Sequence, residues 1–202
     1  MSVLSNSLFH RIFGGAPAPD PRHDHRYMQD EDRGVLLALC RVFRPQTVIE
    51  IGVQRGATAR QLLDGCPFIR HYIGIDVPPA TRMPLPGQQS EVPAVAGEFA
   101  SGDVRFRLSL RHGLLDLKPA DLPRAGLVLI DGDHSAAAVR ADTALARAVL
   151  WPGGIIAWHD YGNRTVEVTG VIDALNRAEG DRICHVEPGM ICFEIRQGEG
   201  NA

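Results

Sequence analysis

The chain has 202 residues, four cysteines, 45% hydrophobic residues and a formal charge of −3. That is enough for one α/β domain with a sizeable core, and the composition is that of a soluble globular protein. The mild negative charge leaves no footprint for nucleic acid or an anionic membrane, and no apolar run approaches the ~20 residues that cross a bilayer.

The N-terminus, MSVLSNSLFHRIFGG, lacks both a basic and a continuous apolar segment, so it does not read as a signal peptide. Cys40, Cys66, Cys184 and Cys192 have no C-x-x-C spacing and read as reduced thiols, consistent with a cytoplasmic protein. Residues 1–26 carry Gly14-Gly15, three prolines and His23-Asp24-His25 without periodicity, and are expected to form a flexible arm. Residues 27–197 are expected to form one domain.

Asp30 can cap a helix that runs to about Phe43, with Leu36, Leu39 and Phe43 on one face. Thr47–Ile51 then reads as a strand buried on both faces, ending in Glu50 and the turn Gly52-Val53-Gln54-Arg55-Gly56. A helix from Ala57 to Asp64 follows. Strand, glycine turn and helix build a nucleotide site at the carboxyl edge of a parallel sheet, with the helix-start N–H groups facing an anion. Tyr72–Asp76 is a second buried strand ending in a carboxylate, placed where such folds bind ribose hydroxyls.

Residues 77–103 contain Pro78, Pro79, Pro84, Pro86 and Pro93. So long an irregular connection is expected to cover the substrate, with a short helix from Pro93 to Phe99. Val104–Leu108 reads as a strand, Ser109–His112 as an adenine-side loop and Leu114–Ala120 as a helix. Leu127–Ile130 is a buried strand that ends in Asp131-Gly132-Asp133-His134-Ser135. Ser135 caps an alanine-rich helix, and Pro152-Gly153-Gly154 is expected to stop it. Ile155–Trp158 is a strand ending in His159-Asp160-Tyr161. A helix from Thr165 to Ala178 follows, then two strands around Glu187-Pro188-Gly189.

The pattern Glu50-x-Gly52-x-x-x-Gly56 departs from G-x-G-x-x-G at Gln54 and has no Walker lysine. It resembles motif I of the class I S-adenosylmethionine-dependent methyltransferases. MQDEDRGVLLALCRVFRPQTVIEIGVQRGAT resembles the opening of the caffeoyl-CoA and catechol O-methyltransferases. VLIDGDHSAAAVRADTALARAVLWPGGIIAWHDYGN resembles the small bacterial methyltransferases with a DGDHS block and an HDY ending. The likeness covers residues 28–195.

It implies a Rossmann-like, seven-stranded sheet with helices on both faces and a C-terminal antiparallel hairpin. Glu50, Gly52, Val53, Gly56 and Thr58 would line the S-adenosylmethionine loop, Asp76 would bind the ribose, and Asp131 would reach cofactor or metal. Asp131, His159 and Asp160 would hold magnesium or manganese, although the family often has Asp-Asn at 159–160. His134 falls where the catechol enzymes carry a lysine base. The implied reaction is O-methylation of a small hydroxylated acceptor, with a homodimer suggested. Two alternatives stay open: metal-independent transfer to nitrogen or carboxylate, and a non-catalytic S-adenosylmethionine-binding protein.

Overall fold

The computed structural model describes residues 1–14, 27–111 and 117–197. In chain order the elements are β1 (Ser2–Ser5), α1 (Asn6–Phe13), α2 (Asp30–Phe43), β2 (Thr47–Ile51), α3 (Ala57–Gly65), β3 (His71–Asp76) and β4 (Phe106–Leu110). They continue with β5 (Ala125–Ile130), α4 (Ala136–Val149), β6 (Leu150–Trp158), α5 (Val168–Ala178), β7 (Cys184–Glu187) and β8 (Ile191–Ile195). The strands form one sheet in the order β1-β7-β8-β6-β5-β2-β3-β4. β8 is antiparallel to both β6 and β7; the remaining pairings are parallel.

The central strands are apolar on both faces because helices cover both. Along β5, Leu127 and Leu129 enter the core beneath α1, α2 and α3. Val128 and Ile130 enter the core beneath α4 and α5. The period-2 alternation of a strand thus feeds two cores, so the stretch reads as a continuous apolar run. Trp158 is fully buried, and its indole N–H donates to Thr143 Oγ1 at 2.9 Å, which removes the cost of an unpaired donor.

Two expectations are corrected here. The sheet has eight strands, not seven. The eighth comes from the segment expected to be a flexible arm: β1 pairs in parallel with β7, from Ser2 opposite Cys184 to Ser5 opposite Glu187. Ser5 then caps α1, accepting from the Leu8 N–H at 3.3 Å, and Phe9 is completely buried, stacked on Phe13 at 4.6 Å. A four-residue strand and an eight-residue helix are too short for periodicity to register, and Val3, Leu8 and Ile12 remain exposed. His23 and His25 lie outside the described residues.

Smaller differences cluster between β3 and β5. Pro86–Glu91 forms a 3₁₀ turn, and no helix spans Pro93–Phe99. β4 starts two residues later than expected, because Val104 is 95% exposed. Of the helix expected over 114–120, the described part shows a 3₁₀ turn at Pro119–Asp121; 114–116 lie outside the described residues, as does His112. Gln29 is the N-cap residue of α2, and Asp30 lies in its first turn.

Candidate active site

The carboxyl ends of β2, β3, β5 and β6 meet along one edge, and each is followed by a loop that carries polar groups. After β2 the chain turns through Gly52 (φ +89°), Gln54 (φ +50°) and Gly56 (φ +83°). Gly52 donates its N–H to the Ile75 carbonyl at 2.8 Å, while the Asp131 N–H donates to the Ile51 carbonyl at 2.8 Å. A Cβ at Gly52 would overlap the Asp131 carbonyl, so glycine is required there both for φ and for space. At Gly56 a Cβ would press on the Gly97 backbone, where the covering segment crosses the start of α3.

Gln54 occupies the position where a dinucleotide fingerprint has its second glycine. It adopts the left-handed conformation, and its N–H donates to Asp76 Oδ2 at 2.6 Å. Asp76 Oδ1 accepts from the Val77 N–H at 2.7 Å. Burial raises the Asp76 carboxyl, and these backbone donors oppose the rise. The aspartate is therefore fixed at the strand end. Glu50 is 1% exposed and accepts from the Tyr72 hydroxyl at 2.9 Å. Burial pushes its carboxyl well above the usual range, against the pull of Tyr72 and Arg33. The Thr58 hydroxyl donates to Met28 Sδ at 3.5 Å.

Glu50, Gly52, Val53, Gln54, Thr58 and Asp76, but not Gly56, line a cavity of about 270 Å³, close to the lower end of the roughly 300–1,000 Å³ usual for small-ligand pockets. Its far side is built by Asp131, His134 and Asp160, with Gln88, Glu91 and Asn163 beside them. Asp131 follows β5, and Asp160 follows β6 with φ +63°. His159 Nδ1 lies 3.2 Å from Asp131 Oδ1 and 3.0 Å from Asp160 Oδ2. Its Nε2 lies 3.3 Å from Asp32 Oδ2. Asp32 Oδ1 accepts from the Met190 N–H at 2.7 Å, and Asp160 Oδ1 accepts from Asn163 Nδ2 at 2.6 Å.

His134 Nε2 stands 3.3 Å from Asp160 Oδ2 and 3.6 Å from Asp131 Oδ1. Neither ring nitrogen is aligned for a hydrogen bond among the described residues, although His134 is only 7% exposed.

The charges hold one another in place. Burial disfavours the Asp131 carboxylate, but His159 and His134 outweigh it and bring its pKa down to about 2. Burial likewise disfavours charged His159, yet Asp131, Asp160 and Asp32 raise it well above its ordinary value. His134 is raised against its burial by Asp131, Asp160 and Glu91. Asp160 is lowered against its burial by both imidazoles.

Every site residue expected from the sequence sits at this edge, but the grouping differs. Donor atoms of Asp131, His134 and Asp160 all lie within 4.8 Å of one another. His159 instead lies behind the two carboxylates, 2% exposed and engaged at both nitrogens. Two carboxylates and an unaligned buried imidazole form an oxygen/nitrogen donor set that suits manganese, iron or zinc better than magnesium, which prefers oxygen alone. Of the expected adenine-side loop, Ser109, Leu110 and Arg111 do not line the cavity.

Asp32, Gln88 and Glu91 were not legible. Asp32 belongs to Asp30-Glu31-Asp32, which reads as a solvated helix start, and Gln88 and Glu91 lie in the proline-rich connection.

A family model described as a methyltransferase domain matches residues 49–161, more than half of the chain. No curated protein sequence matches it. Among solved structures it is similar to a putative O-methyltransferase from Klebsiella pneumoniae (16% identity, 94% of this chain and 86% of that one, TM-score 0.60). It is also similar to the O-methyltransferase from Bacillus cereus in complex with SAH (17%, 87% and 84%, TM-score 0.59). A third is a putative caffeoyl-CoA O-methyltransferase from Staphylococcus aureus (13%, 89% and 86%, TM-score 0.57). At these identities the likeness establishes the fold.

Proposed function

This chain belongs to the methyltransferase-domain family, and on that footing we propose that it moves a methyl group from S-adenosylmethionine to a hydroxyl of a small acceptor. The observation that carries the reading is one cavity shared by the Gly52–Gly56 turn with Asp76 and by the Asp131–His134–Asp160 cluster. Donor and acceptor machinery face each other across it.

The residues divide the work. The turn and Asp76 would seat the adenosyl part, Asp76 through ribose hydroxyls. The sulfonium methyl would then face the cluster, and holding the two reactants in line supplies much of the rate. Asp131, His134 and Asp160 would hold a divalent ion, which when bound lowers the pKa of an acceptor hydroxyl.

His134 bears on how the acceptor proton leaves. Burial favours its neutral form, while Asp131, Asp160 and Glu91 outweigh burial and raise its pKa, favouring the protonated form. It would serve either as a ligand, leaving the ion to acidify the acceptor hydroxyl, or as a neutral general base outside the ligand set, a form that a cation held by Asp131 and Asp160 favours. His159, tied to Asp32, orients both carboxylates.

A second reading has its own support: the Asp131–His159–Asp160 ion pairs are complete without a metal. On that reading the cluster only positions a nitrogen or carboxylate acceptor.

The test is transfer of labelled methyl to a panel of catechols and sugars, with EDTA and with added manganese. Transfer to oxygen that EDTA stops, and that His134→Ala or Asp160→Asn lowers at least 100-fold, supports the first reading. Transfer to an amine or carboxylate added to the panel, indifferent to EDTA, with none to the hydroxyls, supports the second.

A further inference from the structure

The segment covering the cavity is attached to the DGDH loop by one side chain. Gln88 is 2% exposed, its Nε2 donates to the Gly132 carbonyl at 3.1 Å, and its Oε1 accepts from the His134 N–H at 3.2 Å. A primary amide can make this paired contact because it carries donor and acceptor side by side. The segment is braced elsewhere too: Gln89 Oε1 accepts from the Met83 N–H at 3.1 Å, and its Nε2 donates to the Thr81 carbonyl at 3.0 Å.

Gln88 and Glu91 are three residues apart in one 3₁₀ turn and so lie on one side of it. Glu91 is half-buried and lines the cavity. The other acids on this side are engaged: Asp131 and Asp160 with the imidazoles, and Asp133 with the Ser135 N–H at 2.9 Å. Of the covering segment's carboxylates Glu91, Glu98 and Asp103, Glu91 is the one that lines the cavity, and His134, Asp160 and Asp131 are the charged groups that act on it. His134, nine-tenths buried with both ring nitrogens unaligned, marks where a ligand group enters.

We propose that Glu91, held in place by the Gln88 clamp on Gly132 and His134, selects the acceptor by charge, so that the methylated hydroxyl belongs to a molecule bearing an ammonium group rather than a phosphate or carboxylate. The inference rests on the O-methyl reading above and narrows its acceptor. Burial works against the Glu91 charge, while His134 and the Gln88 side chain support it. With a divalent cation balancing Asp131 and Asp160, Glu91 would be the carboxylate left on the covering side of the cavity. An anionic acceptor, a coenzyme A thioester included, then meets like charge in a partly desolvated cavity. An ammonium meets a partner, and a contact of this kind is worth about tenfold or more in affinity.

The experiment compares kcat/KM for three catechols that differ in side-chain charge: dopamine, 4-methylcatechol and 3,4-dihydroxybenzoate, at saturating S-adenosylmethionine and manganese. Dopamine should exceed 3,4-dihydroxybenzoate by at least about tenfold, mostly through KM. Glu91→Gln should reduce that ratio to within about threefold while manganese binding is retained. Gln88→Leu, which releases the clamp, should reduce it as well.

Methylation of 4-methylcatechol without any charge preference would overturn the proposal and leave the O-methyl reading standing. No methylation of any of the three, or of the sugars in the panel above, would defeat both. Loss of manganese binding in Glu91→Gln would make Glu91 a ligand and overturn its selecting role. Full selectivity in Gln88→Leu would overturn the clamp.

Discussion

Replacing Asp142 with asparagine should stabilise the protein at alkaline pH and leave it nearly unchanged in acid. Asp142 lies on the inward face of α4 and is 1% exposed, and neither carboxylate oxygen has a hydrogen-bond partner among the described residues. Burial, with Asp133 adding like charge, pushes its carboxyl up to about 7. An unfolded aspartate titrates near ~3.9. Between these values the folded chain binds a proton that the unfolded chain does not, so stability falls as pH rises from about 4 to about 7. Three units correspond to a loss on the order of 4 kcal/mol, of which roughly 3 kcal/mol falls between pH 5 and pH 8.

Asp142→Asn keeps the shape and removes the titration. Urea unfolding at pH 5, 6.5 and 8 reads the difference between variant and parent. That difference should grow by roughly 3 kcal/mol in the variant's favour across the range. A difference that does not change with pH, or a variant less stable at pH 8, would refute the account of Asp142 as a buried and uncompensated carboxyl.

Gly52→Ala should destabilise by about 2–5 kcal/mol, from left-handed strain plus overlap with the Asp131 carbonyl, and should weaken S-adenosylmethionine binding at the same time. Thermal unfolding and calorimetry on one preparation check both effects. Asp32→Ala should cost about 2–3 kcal/mol, because it leaves the buried His159 Nε2 and the Met190 N–H without their partner, while Asp131 and Asp160 still engage Nδ1. In that variant NMR titration should find the His159 pKa lower than in the parent; an unchanged value would show that Asp32 does not support its charge.

The layout of the sheet edge could be read from the chain because its signals are local. Thr47–Ile51, His71–Asp76 and Ala125–Ile130 are apolar runs closed by carboxylates, and Ser135 is a readable cap. Parallel strands then bring Glu50, Asp76 and Asp131 to one edge without any knowledge of contacts. What stayed hidden depends on partners far along the chain. β1 exists only because β7, some 180 residues later, offers it an edge. Asp32 differs from Asp30 and Glu31 only because α2 turns it toward His159. The exchange of His134 for His159 in the donor set depends on side-chain direction after β5 and β6, which spacing does not carry. Gln88 lies in a segment whose prolines announce irregularity but not where it touches down.

The central claim is that the Gly52–Gly56 turn and Asp76 hold S-adenosylmethionine. Calorimetric titration of that ligand into the parent protein and into Asp76→Ala tests it most directly. Binding near the micromolar range, about −8 kcal/mol, with at least a tenfold loss in Asp76→Ala, is the predicted result. No binding to the parent, or equal affinity in the two proteins, would contradict it.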